Sequence, residues 1–413
     1  MDERSRTTAP IAPPGTDGDW RMADPLHDQL RRVIHALVEQ LVEAEVDEAL
    51  GCRRYARCAG GGRRGYRHAA RARTLTTSCG ASVIAVPRAR LFDASGGATQ
   101  EWQSQLLPRY HRRSRAVDQT VLGAYLAGTN TRRMQRALQP LLKGAPLSKS
   151  AVSRVMRTLR ESFEAWRTRP LADEPIAYLF LDAIAVKVRL DRRVQSVPIL
   201  VALGVTAAGE KRLLALRLMG HESKAAWGAL VEDLSSRGLP VPVLVVMDGN
   251  AGLRHAVGQA WPQAAVQRCV VHKLRNLEAH APKRVVDEIR ATFHAITEAE
   301  SERAARAAYA RFLRTWRTRA ESVARSLEEG GDELLTFFRF PRSQWKCIRT
   351  TNMIERLNEE FRRRLKTQGS HPLEASILRL FYALYQSGQI TLRRLDGWYD
   401  IPRVLQQHRQ VAA

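Results

Sequence analysis

Two aspartates lie within or directly after apolar runs that are typical of buried β-strands. Asp182 lies inside residues 177–190 (AYLFLDAIAVKVRL), and Asp248 directly follows the run 241–247 (VPVLVVM). A buried carboxylate is unfavourable unless another group pairs with it or binds it. Two carboxylates on neighbouring strands would repel each other, and a divalent cation between them is the usual resolution. The pattern therefore favours a fold built around an acidic metal site.

A third carboxylate, Glu355, lies far downstream in a cationic helical pattern. Residues 350–366 repeat apolar side chains at helical spacing. These are Ile354, Leu357, Phe361 and Leu365. Glu355 lies next to the edge of this stripe, where its side chain can face a cleft between helix and sheet. Glu359 and Glu222 are the competing third ligands.

Three carboxylates without a cluster of thiolates or imidazoles are a ligand set that suits Mg²⁺. Two such ions can activate the attacking oxygen and stabilise the leaving oxygen when a phosphodiester bond is cut. We therefore expect Asp182, Asp248 and Glu355 to be both metal ligands and catalytic residues. The alternative is that one or more of them are surface or structural acids.

The net charge predicts a polyanionic partner. The chain has 66 basic and 42 acidic residues, a formal charge of +24. A bias toward arginine codons could explain arginine over lysine, but it does not explain the excess of bases over acids. Double-stranded nucleic acid is the simplest partner of such a chain.

Residues 25–170 are predicted to form a basic, mostly helical DNA-binding region after a disordered tail at 1–24. Residues 25–50 have helical periodicity, and residues 51–92 contain ten arginines and no acid. Arginines in such a segment suit phosphate contacts, which give affinity without sequence information. The predicted contacts are Arg63, Arg64, Arg67, Arg71 and Arg73.

Residues 131–160 are similar to a helix-turn-helix, with the turn at 143–146. The second helix would expose Ser150, Ser153, Arg154 and Arg157 toward a major groove. The alternative is a helical hairpin that serves only as a packing unit. Near the C-terminus, Arg356, Arg362 and Arg363 add further predicted DNA contacts.

Residues 171–272 read as three strands, a helix, a strand, a helix and a strand. This is the order of the ribonuclease H-like fold, an α/β fold in which the first and fourth strands can lie side by side. Helical patterns predict an all-helical insertion at residues 273–345. They also predict core helices at residues 346–390, one of which carries Glu355. Residues 391–413 read as a tail.

Cys269 and His272 form a C-x2-H pair at the end of the predicted fifth strand. A structural zinc site would need two further ligands. We consider the pair an accessory element, in which His272 contacts the scissile phosphate or orders the site. A hydrogen-bonded histidine that braces the insertion is the alternative.

At this point the residues resemble a known family, the Mutator-type transposases of bacterial insertion sequences. The motifs that carry the resemblance are Asp182-Ala183 with Lys187-Val188-Arg189; Gly220-His221-Glu222-Ser223 with Trp227; Asp248-Gly249 with Gly252-Leu253; Gln267-Arg268-Cys269 with His272-Lys273 and Arg275-Asn276; and Arg349-Thr350-Thr351-Asn352 with Ile354-Glu355-Arg356-Leu357-Asn358. The resemblance extends over residues 63–385. It departs from the family pattern at Ala185, where an aromatic residue is frequent, and after Gly65-Tyr66-Arg67, where a repeat is degraded.

The resemblance implies a DDE transposase with a ribonuclease H-like core and an all-helical insertion. It implies two Mg²⁺ or Mn²⁺ ions, action as a dimer or larger assembly on terminal inverted repeats, and a catalytic triad at Asp182, Asp248 and Glu355. A ribonuclease H-like nuclease or resolvase and a non-catalytic DNA-binding regulator are the alternatives. With no apolar run long enough for a membrane span, we expect a bacterial cytoplasmic protein associated with the nucleoid.

Overall fold

The structure is a computed structural model that describes residues 25–56, 64–93, 99–127, 129, 134, 138, 149–190, 193–219, 223–368 and 374–412. The chain divides into two compact units. Unit 1 comprises residues 1–125 and 131–155, and unit 2 comprises residues 126–130 and 156–413. Within the described ranges, the helices are too short or too polar to cross a membrane.

Unit 1 combines one long helix with short antiparallel strands. Its elements are α1 (Pro25–Leu50), β1 (Gly65–Arg67), β2 (Arg71–Thr77), β3 (Gly80–Val86), β4 (Ala89–Phe92), β5 (Thr99–Glu101) and α2 (Arg115–Leu126). Strands β1, β4 and β5 form one sheet, and β2 pairs with β3 as a hairpin. Val42 on α1 packs against Leu75, Ile84 and Val86 of the hairpin.

The prediction of a mostly helical N-terminal region is wrong for residues 65–101. The hairpin forms because β-branched residues such as Thr74, Val83 and Ile84 favour extended backbone on both sides of a tight turn. Gly80 has a φ of 104° at that turn, which a residue with a side chain rarely adopts. In the sequence, the many arginines of this segment make its β-strand pattern hard to recognise.

Most of the predicted first helix and turn of the helix-turn-helix lies outside the described residues. Its second helix is present as α3 (Lys149–Thr168). This helix is longer than predicted, since its apolar periodicity continues through Phe163 and Trp166, which are both buried.

Unit 2 is built on a five-stranded mixed sheet. The strands are β6 (Ile176–Leu190), β7 (Arg193–Thr206), β8 (Lys211–Leu218), β9 (Leu244–Met247) and β10 (Ala265–Arg268), and their spatial order is β10-β9-β6-β7-β8. Strands β6, β7 and β8 run antiparallel, whereas β9 is parallel to both β6 and β10. Helices α4 (Ser223–Ser236) and α5 (Ala251–Ala260) connect β8 to β9 and β9 to β10. The predicted order of strands and helices is confirmed.

Alternate residues of β6 face two different layers, as the two-residue repeat of a strand requires. Leu179 and Leu181 pack with Trp227 of α4 and Leu253 of α5. Gly252 allows the close approach of these helices, because a Cβ there would lie 2.8 Å from the Cα of Lys224. The alternating residues Tyr178, Phe180 and Asp182 of β6 point to the opposite face of the sheet.

The C-terminal helices cover that opposite face of the sheet. They are α11 (Asn352–Gln368), which contacts β6, and α12 (Glu374–Gln386), which contacts β8. The hydroxyl of Tyr178 on β6 donates to Gln344 Oε1 at 2.8 Å just before this region. Ile354, Leu357 and Phe361 of α11 are fully buried, which confirms these three positions of the predicted stripe.

The segment predicted to be an all-helical insertion is helical, and it has a core of its own. It comprises α6 (Val270–His280), α7 (Val286–Thr297), α8 (Glu302–Arg319) and α9 (Glu321–Gly330), followed by short 3₁₀ turns and α10 (Trp345–Ile348). Phe293, Phe312 and Trp316 lie at the centre of this core.

Polar side chains attach this helical segment to the end of β10. Arg268 is 4% exposed and binds Glu329 and Glu333 at 2.8 and 3.1 Å. Lys273 donates to Glu329 at 2.6 Å. Gln267 accepts from the backbone N–H of Phe337 at 2.8 Å. These contacts explain why buried polar residues follow the last strand.

Three boundaries differ from the prediction. Strand β9 begins at Leu244, because Val241 is 47% exposed and Pro242 lacks the N–H that a central strand needs. Strand β10 ends at Arg268, so Cys269 caps α6 and His272 lies within that helix. The residues expected to be a tail include α13 (Ile401–Ala412).

Candidate active site

Asp182 and Asp248 lie side by side at the centre of the sheet. The parallel register of β6 and β9 pairs Leu181 with Met247, and each aspartate is the next residue along its chain. Neighbouring strands are about 4.8 Å apart and paired residues share a face, so the two carboxylates meet. Asp182 is 4% exposed, whereas the side chain of Asp248 is 40% exposed.

The two carboxylates differ in environment. Burial raises the pKa of Asp182, and the nearby His272 together with the Thr351 hydroxyl and the Ala183 N–H opposes this rise. The Ala183 N–H donates to Asp182 Oδ1 at 2.8 Å. The Gly249 N–H donates to Asp248 Oδ1 at 2.6 Å. Each carboxylate therefore has one backbone donor and keeps oxygen lone pairs for a further partner.

Thr351 joins the aspartate pair to helix α11. It is fully buried, and its N–H and hydroxyl lie 3.4 and 3.5 Å from the sulfur of Cys269. Its carbonyl accepts from the N–H groups of Ile354 and Glu355 in the first turn of α11. One threonine thus contacts the end of β10, the buried aspartate of β6 and the start of the helix that carries Glu355.

Glu355 lies in the first turn of α11 and is held by an arginine. Arg275 of α6 donates to Glu355 Oε1 at 3.1 Å, and both side chains are partly exposed. Within the described ranges, no three His, Cys, Asp or Glu side chains are grouped closely enough to hold a metal ion as they stand. The aspartates form a pair of hard oxygen donors that suits Mg²⁺ or Mn²⁺.

His272 contributes a cation beside the aspartate pair. The neighbouring Cys269 raises the pKa of His272 to about 9, although burial acts to lower it, and Asp182 and Asp248 add to the rise. Its Nδ1 lies 3.9 Å from Asp248 Oδ1. This buried Nδ1 has no hydrogen-bond partner among the residues that the structure describes.

The predicted DNA-binding arginines of unit 1 have different environments. Arg64 and Arg71 are exposed, and Arg63 lies outside the described residues. Arg67 is held by Glu43 and Asp47 of α1. Arg73 is half-buried and donates to three backbone carbonyl oxygens.

The other predicted DNA contacts lie on exposed helix surface. On α3 these are Ser150, Ser153, Arg154 and Arg157, and on α11 they are Arg356, Arg362 and Arg363. Arg363 also pairs with Glu360. Glu359, one competing third ligand, is exposed on α11. Glu222, the other, lies outside the described residues.

Sequence reasoning assigned no role to Thr351 or Arg275. Thr351 could have been recognised as a polar residue that immediately precedes an amphipathic helix, a position that favours helix capping. Arg275 lies 80 residues from Glu355, and no local pattern indicates that they meet.

Comparisons with known proteins agree on one family. The model of the family "Transposase, Mutator family" matches residues 17–391. The transposase for insertion sequence element ISRM5 of Rhizobium meliloti is 36% identical, over 93% of this chain and 94% of that protein. The transposase for IS1081 of Mycobacterium tuberculosis is 35% identical, over 93% and 89%. The transposase for IS256 in transposon Tn4001 of Staphylococcus aureus is 28% identical, over 86% and 89%.

One solved structure is also similar, at a low level. The Drosophila P element transposase strand transfer complex is 12% identical with a TM-score of 0.27, over 66% of this chain and 80% of that chain. That score carries no argument about this chain. The family match and the bacterial relatives cover most of the sequence, and the chain belongs to the Mutator family of transposases.

Proposed function

We propose that the protein is a DDE transposase that binds the terminal inverted repeats of an insertion sequence and catalyses metal-dependent DNA strand cleavage and strand transfer. The observation that carries this proposal is the register of β6 and β9, which brings Asp182 beside Asp248. The strand order β10-β9-β6-β7-β8 supports a ribonuclease H-like core, with the helical segment as its insertion.

Asp182, Asp248 and Glu355 would hold the metal. When bound, two Mg²⁺ or Mn²⁺ ions would activate the attacking water or 3′-hydroxyl and stabilise the leaving oxygen. Burial of Asp182 keeps bulk water from its oxygens, and the Thr351 hydroxyl opposes the resulting rise in its pKa. Glu355 is available once its ion pair with Arg275 opens.

Arg275 and His272 are the cations next to this site. Arg275 would contact the scissile phosphate through its exposed guanidinium, and the buried His272 would act as a fixed positive charge close to Asp248. The exposed arginines of α11, Arg356 and Arg362, would hold the DNA backbone near the same helix. Such phosphate contacts position DNA without reading its sequence.

We also propose that the protein acts as a homodimer or larger assembly. Helix α1 exposes apolar residues at spacings of three and four, and these are Leu26, Leu30, Val33, Leu37 and Leu41, all at least 45% exposed. Spacings of three and four residues keep these side chains on one face of the helix, as on a helix that packs against another helix. A second copy of α1 supplies a matching stripe.

Strand transfer distinguishes the proposed function from its alternatives. The substrate is a labelled DNA fragment that carries the element's own terminal repeat, incubated with Mg²⁺, with Mn²⁺ or with EDTA. A transposase cuts and joins strands only with metal. Cleavage without joining would instead support a nuclease or resolvase. Specific binding without any cleavage would support a regulator.

A further inference from the structure

A groove in unit 1 is lined by an unusual density of arginine. It has a volume of about 470 Å³ and lies between the β2–β3 hairpin and the segment 101–112. Five arginines line it, and these are Arg71, Arg73, Arg88, Arg109 and Arg112. Glu101 is the only carboxylate among its described lining residues. Most of these arginines are exposed.

The available carboxylate neutralises only one side of the groove. Glu101 accepts from Arg88 at 3.0 Å and lies 3.9 Å from Arg109. Among the residues that the structure describes, no acidic side chain pairs with Arg71 or Arg112. These two cations face the groove without compensation, and like charges this close repel unless an anion lies between them.

Arg73 builds the wall of the groove instead of serving as a free cation. It donates to the carbonyl oxygens of Leu107, Pro108 and His111 at 2.9, 3.0 and 2.8 Å. Arg71, Arg73 and Arg112 line the same groove, and the pKa of Arg73 is lowered first by burial and then by the charges of Arg71 and Arg112. The loop that carries Arg109 and Arg112 is therefore fixed against the hairpin.

We propose that this groove binds the phosphate backbone of duplex DNA, with Arg71 and Arg112 as the principal contacts. The inference rests on the proposed function only in taking DNA as the partner. The volume is within the range of about 300–1,000 Å³ seen for organic ligands, larger than one inorganic anion requires. Exposed arginines without a set of buried polar groups suit a repeating polyanion, which is bound for its charge and not for its base sequence.

The arginines of unit 1 that were predicted to bind DNA then have two different roles, DNA contact and structural packing. Arg71 contacts DNA. Arg67, bound to Glu43 and Asp47, stabilises the packing of β1 on α1. Arg112 lies outside the segment from which DNA contacts were predicted, and only the fold brings it beside Arg71.

The salt dependence of DNA binding tests the groove. The full-length chain and its Arg71→Ala/Arg112→Ala variant are titrated with a short mixed-sequence duplex over a series of KCl concentrations. Each lost phosphate contact reduces the slope of log K against log salt by about 1, so the double variant should lose about 2. Arg71→Lys/Arg112→Lys should retain most of the slope, because lysine also neutralises phosphate.

A control variant removes two positive charges, as the groove variant does, but from helix α8. Arg311 and Arg314 are exposed on α8 and have no acidic partner in the described part of the chain. Arg311→Ala/Arg314→Ala should leave the slope unchanged. Equal losses in both double variants would show a net-charge effect and overturn the groove. A slope unchanged by Arg71→Ala/Arg112→Ala would overturn it as well.

Two further measurements separate this inference from the proposed function. Thermal unfolding must show that the alanine variant is folded, and if it is not, Arg71→Gln/Arg112→Gln, which removes the two charges but keeps polar side chains, provides the same test. Metal-dependent cleavage is measured on wild-type protein alone. If wild type cleaves DNA but the Arg71→Ala/Arg112→Ala variant keeps the salt slope of wild type, the groove does not bind DNA and the proposed function stands. If the slope falls as expected and wild type never cleaves, the groove stands and the proposed function fails.

Discussion

At the scale of single residues, the burial of Asp182 lowers the stability of the folded chain but would favour metal binding. Asp182 is almost fully buried, and burial raises its pKa. Without metal, the ionised carboxylate destabilises the folded chain, because its desolvation is only partly offset by Thr351, Ala183 and His272. A bound cation would remove that penalty. The same burial that makes an ionised Asp182 unfavourable by itself would favour its binding to a cation.

Asp182→Asn should abolish strand cleavage and leave DNA binding intact. Asparagine keeps the oxygen that accepts from Ala183, so the fold is preserved. In EDTA at neutral pH the variant should be more stable than wild type by about 1–3 kcal/mol, the usual cost of an imperfectly compensated buried polar group. Urea unfolding and a gel-shift assay measure the two properties. Loss of DNA binding together with cleavage would contradict the assigned role.

The pH dependence of this stability difference has a defined sign. Because the pKa of Asp182 is raised on folding, the folded state holds the proton more tightly than the unfolded state. This contribution is present below the unfolded pKa and is lost as the pH rises through the folded pKa. The advantage of Asp182→Asn over wild type in EDTA should therefore grow from acidic to neutral pH. A difference that shrinks over this range would contradict the buried-carboxylate interpretation.

Thr351 should act by positioning Asp182 and the start of α11. Thr351→Val removes the hydroxyl but keeps the shape, whereas Thr351→Ser keeps the hydroxyl. The valine variant should lower kcat by about 10–100-fold, the usual effect of losing a partner of a metal ligand, and should require more Mg²⁺. The serine variant should restore most of both values. Wild-type kcat and Mg²⁺ requirement in the valine variant would contradict this role, because that variant lacks the hydroxyl.

At the scale of elements, the joint between β10 and the helical segment should be energetically important. Arg268→Met removes a buried cation from two carboxylates, Glu329 and Glu333. Losing this buried, hydrogen-bonded charge, while its carboxylate partners stay partly exposed, should cost about 1–3 kcal/mol, to be measured as the free energy of unfolding in urea. Arg306→Met, which breaks exposed pairs on α8, should cost less than about 1 kcal/mol. Similar costs for the two variants would show that the joint is not specially stabilised.

The elements of unit 2 were largely predictable because their patterns are local. The apolar runs of β6 and β9 and the stripe of α11 place Asp182, Asp248 and Glu355 on the expected elements. The hairpin of unit 1 was missed because arginine and glycine dominate its composition. The position of Cys269 at a helix start was missed because Val270 and Val271 extend the apolar strand pattern, while the Thr351 contact that fixes it is long-range.

At the scale of the whole molecule, association should depend on the exposed stripe of α1. Val33→Glu/Leu37→Glu places charge in the centre of that stripe and should shift the chain toward monomer in analytical ultracentrifugation. Leu106→Glu, which alters an equally exposed leucine elsewhere in unit 1, should not. If both variants keep the mass of wild type, α1 is not the association surface.

The proposed metal site takes its ligands from three separate parts of the chain, which are β6, the residue after β9, and α11. The most direct measurement is metal-dependent cleavage of a terminal-repeat fragment by Glu355→Gln, with Glu359→Gln as a control one turn further along α11. We predict that Glu355→Gln loses at least about a hundredfold in rate, beyond the effect of altering a partner of a ligand, and that Glu359→Gln stays near wild type. Cleavage that survives in Glu355→Gln and is lost in Glu359→Gln would contradict the proposed triad.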